Sequence, residues 1–308
     1  MLVSFIPFFL VARVAVNEGD WKYGPEYVFR VGVNTTFTPM NHDGVQRSNY
    51  TSLDLFCRPK GSQALLCRLR NARRSSMDVT NNNELDIPEQ EMRGLYSEEP
   101  FEIKFNERGV EQLIVNEHVR VADLNDIRNV VGGFNIGADL NGVPDGTFQI
   151  LENTVIGQCN VTVALRHLPS KNRSERPRYE LESLPQLNKV PDEDLVIEKV
   201  TNLNNCSYYA PFYFGSYGHD IVVEPSLSSH LESSHSRIFV TDHIFESVLA
   251  RVGTFGSDKM NNLVAMTEYI SVHLWNIVAA KNELIEVSEP SKTTITANSD
   301  LDRIFPMK

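Results

Sequence analysis

The chain has 308 residues, 41% hydrophobic and 22% charged, a balance that fits a globular protein and excludes a disordered one. That length suits one large all-β domain or two ordinary ones. A net charge of −11 excludes nucleic-acid binding by bulk electrostatics, yet the charge is uneven: residues 1–77 hold ten Lys and Arg against five Asp and Glu, net +5, and the remainder is net −16.

Residues 2–12, LVSFIPFFLVA, are apolar over a length too short to span a bilayer. They fit the apolar core of a secretory signal, with residues 1–16 as the leader. The fit is imperfect: no positive charge precedes the run, Pro7 interrupts it, and Arg13 sits close to where cleavage would fall. The alternative is a buried N-terminal strand. The signal is favoured because the chain carries five Asn-x-Ser/Thr sequons, at Asn34, Asn49, Asn160, Asn172 and Asn205. Asn160 and Asn205 each adjoin a cysteine. The expected protein is secreted and glycosylated.

Residues 21–33, WKYGPEYVFRVGV, begin with turn residues and run into an aromatic and β-branched strand. Residues 34–51 form a polar turn region. Residues 52–70 read as a hairpin in which Cys57 and Cys67 flank Arg58-Pro59-Lys60-Gly61-Ser62, and a disulfide across it is sterically plausible. That leaves Cys159 with Cys206. An even cysteine count in a chain expected outside the cell favours disulfides, and the absence of C-x₂-C spacing argues against a metal site. Residues 73–88 are polar, turn acidic, and read as a surface loop.

The chain is organised around residues 99–134. Phe101, Ile103 and Phe105 alternate with Glu102, Lys104 and Asn106, the period of a half-buried strand. Glu107-Arg108-Gly109 is a turn in which Gly109 is free to take positive φ. Val110, Leu113 and Val115 open a second run. Asp123 reads as a helix N-cap. Leu124, Ile127, Val131 and Phe134 then fall at i, i+3, i+7 and i+10, one face of a helix that the Gly132-Gly133 pair ends or frays.

Residues 135–146 read as a loop, and residues 148–165 as two strands pivoting about Gly157. Residues 169–194 hold Pro169, Pro177, Pro185 and Pro191 and read as an extended exposed insertion. A short strand is expected over 196–200. The aromatic run 208–217, YYAPFYFGSY, reads as core more than as lipid contact. Residues 226–236 are Ser/His-rich and read as a mobile loop. Residues 237–287 carry strand-like runs, of which 267–287 also fits a helix. Residues 288–308 read as a polar tail.

Many short strands and one convincing helix predict a mainly β fold, an antiparallel β-barrel or strongly curled sheet around a short central helix, over residues 17–287. No G-x-S-x-G elbow, H-E-x-x-H or P-loop is present, and the Gly215-Ser216-Tyr217-Gly218 spacing is wrong for the first. The expected protein is not an enzyme and uses no cofactor or metal. The densest charge cluster is Arg58, Lys60, Arg68, Arg70, Arg73 and Arg74. It reads either as a solvated hairpin or as a docking site.

Several of these segments together resemble the vitellogenin N-terminal domain of the large lipid transfer proteins, a group that includes lipovitellin, apolipoprotein B and the microsomal triglyceride transfer protein. Trp21, Gly24 and Tyr27-Val28 resemble its opening strand. Pro100-Phe101 and Gly109-Val110 resemble its hairpin. Leu124-Asn125-Asp126-Ile127 is similar to its central helix, with Asp126 and the Gly132-Gly133 pair as departures. Gly157-Gln158-Cys159 and Leu203-Asn204-Asn205-Cys206 are similar to its two cysteine motifs, which implies the Cys159–Cys206 disulfide. Residues 226–236 resemble the serine-rich segments of insect members.

The resemblance implies a lipovitellin-like barrel plugged by the helix, and a role in lipid transport and yolk-nutrient supply. It also implies an endocytic receptor of the low-density-lipoprotein type, whose acidic, calcium-ordered modules would read the basic cluster. In the family the lipid cavity is built from a helical domain and further sheets, and this chain ends at Lys308, where those are expected to begin. Lipid cargo is therefore expected only if further domains are present. The alternatives are an extracellular binding or defence module of the clotting type and, from the enzyme class, a hydrolase with a dispersed site.

Overall fold

The computed structural model describes residues 2–5, 10–14, 21–40, 45–79, 84–91, 97–170, 179–183, 193–209, 228–257 and 262–296. Two antiparallel sheets form. The smaller pairs β1 (Leu2–Phe5), β2 (Leu10–Val14) and β11 (Tyr179–Ser183). The larger runs in the order β16 (Pro290–Thr293), β8 (Gly109–Asn116), β7 (Phe101–Asn106), β5 (Ala64–Val79), β4 (Gln46–Pro59), β3 (Pro25–Pro39), β15 (Asn262–Ala279), β14 (Phe245–Ser257), β13 (Ser228–Val240), β12 (Glu193–Tyr209), β10 (Gly157–Pro169) and β9 (Gly146–Thr154). The exposed β6 (Glu84–Glu91) pairs with the second half of β5.

Alternation builds the inner wall. Tyr27, Phe29, Val31 and Val33 of β3 are buried, as are Leu53, Leu55 and Cys57 of β4 and Ile270, Val272 and Leu274 of β15. The helix α1 (Val121–Gly132) and the residues after it fill the space within. Phe134 stacks on Phe245 at 5.8 Å between ring centroids and meets Phe29 edge-on at 5.0 Å. Each such ring pair contributes roughly 0.5–1.5 kcal/mol beyond the area it buries.

The curled sheet is barrel-like but not closed: among the described residues no ladder pairs β16 with β9, and side chains bridge the two ends. Thr296 Oγ1 donates to the carbonyl of Thr154 at 2.8 Å, and Ile295 packs with Val155 and Ile156. The two ends of the strand order, β9 and the segment after β16, meet there. At the β7–β8 turn Gly109 has φ of 120°, and a Cβ on it would lie 2.7 Å from Asn135 Oδ1 and 2.8 Å from Ile136 N. Asn135 Oδ1 accepts the Val110 N–H at 3.0 Å, so this close approach ties the hairpin to the end of the helix.

Several expectations are corrected. The helix begins at Val121, so Asp123 is not its cap; Arg120 holds that position with extended backbone and no side-chain cap bond. Asp123 sits in the first turn, where its carboxylate accepts from Arg120 at 2.6 and 2.8 Å and from the Ser97 N–H at 3.1 Å. A carboxylate is stabilised there by the helix dipole and by an i,i+3 partner. Residues 73–79 and 84–91 are strand, not loop; both faces of β6 are wet, so no apolar alternation marks it. Residues 228–236 are the start of β13, because inward Ser234 and Ser236 line a polar cleft where apolar residues would have shown a strand. Residues 262–279 are strand throughout; Glu268 occupies an inward position and blurs the alternation. The segment read as a polar tail contributes β16 and the buried Ile295. The aromatic run lies mostly outside the described residues, as do Asn172 and residues 297–308.

Candidate recognition surface

The basic hairpin is held in register by its disulfide. Cys57 and Cys67 are directly opposed on β4 and β5 with an S–S distance of 2.03 Å, and the reversal between them ends where the Lys60 N–H donates to the Ala64 carbonyl at 2.8 Å. The second bridge joins the opposed Cys159 and Cys206 on β10 and β12 at 2.06 Å.

The six basic side chains, clustered in sequence, divide in space. Arg58 is buried, paired with Glu26 at 2.9 Å and donating to the Asn282 carbonyl at 2.6 Å. Lys60 bonds Glu102 at 2.8 Å and also Glu286, and these two carboxylates raise its pKa above the ordinary lysine value. Arg68 reaches the same Glu26 at 3.5 Å; burial, with Arg70 next to it, lowers its pKa. Arg74 lies on the inward side of β5, and its charge acts on the buried Asp126 of α1. Arg70 and Arg73 have side chains 41% and 59% exposed, against 35% for Lys60, with Glu98 and Glu89 each 3.6 Å away. Exposed pairs of that length contribute little to stability.

Beside Arg68 and Arg70 lies a surface cleft of about 140 Å³, lined also by Glu98, Pro100, Leu284 and Ile285, the last well exposed. It is smaller than the few hundred Å³ of a typical small-molecule site.

The interior carries a polar seam that the sequence reading missed. Lys199 Nζ donates to Glu152 Oε1 and to the Asn135 carbonyl at 2.7 and 2.8 Å, all buried. Among the described residues Glu152 Oε2 has no hydrogen-bond partner, and burial raises this carboxyl's pKa even with Lys199 beside it. The adjoining cleft holds about 50 Å³, room for a few waters. Arg128 on α1 donates to the Thr294 carbonyl at 3.0 Å and to Thr293 Oγ1 at 2.9 Å, which pins the helix to the sheet seam. These groups are consumed in mutual bonds that hold the plug. At the surface, Glu117, His118 and Glu289 cluster, with His118 Nε2 3.4 Å from each carboxylate and all three side chains exposed.

The sequons differ in access. Asn34 and Asn205 are exposed, Asn160 is half-buried on the outer face, and Asn49 is half-buried with its Oδ1 accepting from Ser76 Oγ at 2.7 Å. Among the described residues no helix is long and apolar enough to cross a membrane, which bears on helices only.

The described residues thus form a curled antiparallel sheet filled by its own helix, with a disulfide-pinned hairpin along it. The chain belongs to the vitellogenin N-terminal domain family, whose sequence model matches residues 21–271. Its fold is similar to a structure described as lipid-protein interactions in lipovitellin, with a TM-score of 0.61 and 11% identity over 94% of this chain. The chain spans 29% of the length of that relative.

Proposed function

We propose that this domain is the recognition end of a secreted lipid-transport and yolk-storage protein, and that it docks an endocytic receptor of the lipoprotein-receptor type through Arg70 and Arg73. The family supplies the transport and storage class. The observation that carries the docking site is the division of the basic cluster. Arg58, Lys60 and Arg68 are neutralised by Glu26, Glu102 and Glu286, whereas Arg70, which lines the cleft, and Arg73 hold longer pairs of 3.6 Å with exposed carboxylates. A short positive rim on a protein of net charge −11 orients an acidic partner and makes the encounter salt-sensitive. Two disulfides and five sequons support the secretory route. Lipid cargo requires further domains beside this one, and this domain itself performs no chemical step.

The test is binding of the secreted chain to immobilised calcium-loaded ligand-binding modules of such a receptor. Arg70→Glu with Arg73→Glu is expected to weaken binding by about tenfold or more while the melting curve is unchanged. Unchanged affinity in the double variant overturns the assignment.

A further inference from the structure

On the outer face of the sheet, Asn34 of β3 stands directly between two exposed tyrosines: Tyr50 on β4 and Tyr269 on β15 are its register partners on either side. The tyrosines are 48% and 49% exposed, large values for aromatic side chains in mid-sheet. Directly opposed residues have Cβ atoms about 5 Å apart, so both rings start within one ring's width of the Asn34 side chain. Gly32, two residues earlier on the same face, makes further room. A Cβ there would lie 2.9 Å from Ser271 Oγ, 3.3 Å from the Tyr50 hydroxyl oxygen and 3.5 Å from its Cε2, so the Tyr50 ring reaches from its position opposite Asn34 over Gly32 on the same face of β3. Asn34 itself is exposed and begins the sequon Asn34-Thr35-Thr36.

We propose that Asn34 carries an N-linked glycan whose first sugars pack on Tyr50 and Tyr269. The pairing supplies each side's missing partner. The C–H bonds on one face of a pyranose carry partial positive charge and meet the negative face of an aromatic ring, and a bulky solubilising group covers what is otherwise an exposed aromatic patch. Asn34 lies within the ladder of β3 on both sides, so the sugar is attached before the strand pairs. The proposal rests on the secretory reading above.

The test uses the full chain secreted from eukaryotic cells. Tryptic cleavage after Arg30 and Arg47 isolates residues 31–47, which contain Asn34 as their one sequon, so occupancy is read by mass spectrometry. The rate of enzymatic deglycosylation of the native protein is then compared between Asn34 and the exposed Asn205. Release at Asn34 is expected to be about fivefold slower, to rise to the Asn205 rate in Tyr50→Ser with Tyr269→Ser, and to stay slow in Tyr50→Phe with Tyr269→Phe, which keeps the rings. The Phe pair also controls for folding.

An occupied Asn34 with tyrosine-dependent protection supports the proposal. An empty Asn34 in a protein glycosylated at Asn160 or Asn205 overturns it and leaves the secretory reading standing. An occupied Asn34 whose release ignores the tyrosines overturns the packing. No glycan at any sequon, together with reduced cysteines, overturns the secretory reading and this proposal with it.

Discussion

Arg251 on β14 and Glu268 on β15 are directly opposed in the sheet, with Nη2 2.7 Å from Oε2 and neither side chain exposed by more than 1%. The same Arg251 nitrogen donates to Asn129 Oδ1 of α1 at 2.7 Å. The ion pair therefore sits on the inner wall and holds the helix through one further bond. Arg251→Ala leaves a buried carboxylate and a buried amide without this partner. It is expected to cost about 3–5 kcal/mol in urea unfolding, whereas Arg251→Met with Glu268→Leu recovers most of that loss. Equal losses in the single and double variants would show that the pair does not act as a unit.

Phe134 couples the two halves of the sheet, because it touches Phe29 on β3 and Phe245 on β14. Phe134→Ala opens a cavity at the centre of the domain and is expected to cost about 3–5 kcal/mol. Leu124→Asp with Ile127→Asp places two charges among buried side chains and is expected to abolish folding. A normal melting curve from that double variant would remove α1 from the core.

Asp126 gives the domain a pH dependence. Its Oδ2 is buried and has no hydrogen-bond partner among the described residues. Burial pushes its pKa well above the carboxylate range; Asp123 and Glu268 add to the shift, and Arg74 and Arg120 oppose it. The folded state thus holds this proton more tightly than the unfolded chain does. Stability from this group is present below the unfolded value of about 3.9 and is lost as pH rises through the folded pKa, by about 1.4 kcal/mol per unit. Asp126→Asn removes the titration. Unfolding measured from pH 4 to 8 is expected to show the variant gaining on the native protein as pH rises, and a gap independent of pH would contradict this.

Much of this was legible because local chemistry decided it. Phe101, Ile103 and Phe105 alternate, Gly109 turns the hairpin, and Leu124, Ile127, Val131 and Phe134 share a face, and all of these lie in the inner layer. Both disulfides join the cysteines that spacing and resemblance paired. The polar interior was hidden because Glu268 and Ser234 occupy inward positions that periodicity assigns to apolar residues. The proposed recognition surface was legible only as a charge cluster. Glu26, Glu102 and Glu286, which neutralise half of it, lie 32 to 226 residues from their partners, beyond the reach of any local pattern. Tyr50 and Tyr269 were invisible as a pair for the same reason, since only strand register brings them to Asn34.

The central claim is that the inside of this domain is occupied by its own helix and that its work is done on the outside. Lipid extraction and mass spectrometry of the purified 308-residue chain test this most directly. The expected result is no stoichiometric lipid, with receptor-module binding retained. One or more moles of lipid per mole of chain, lost together with the fold on delipidation, would contradict the account.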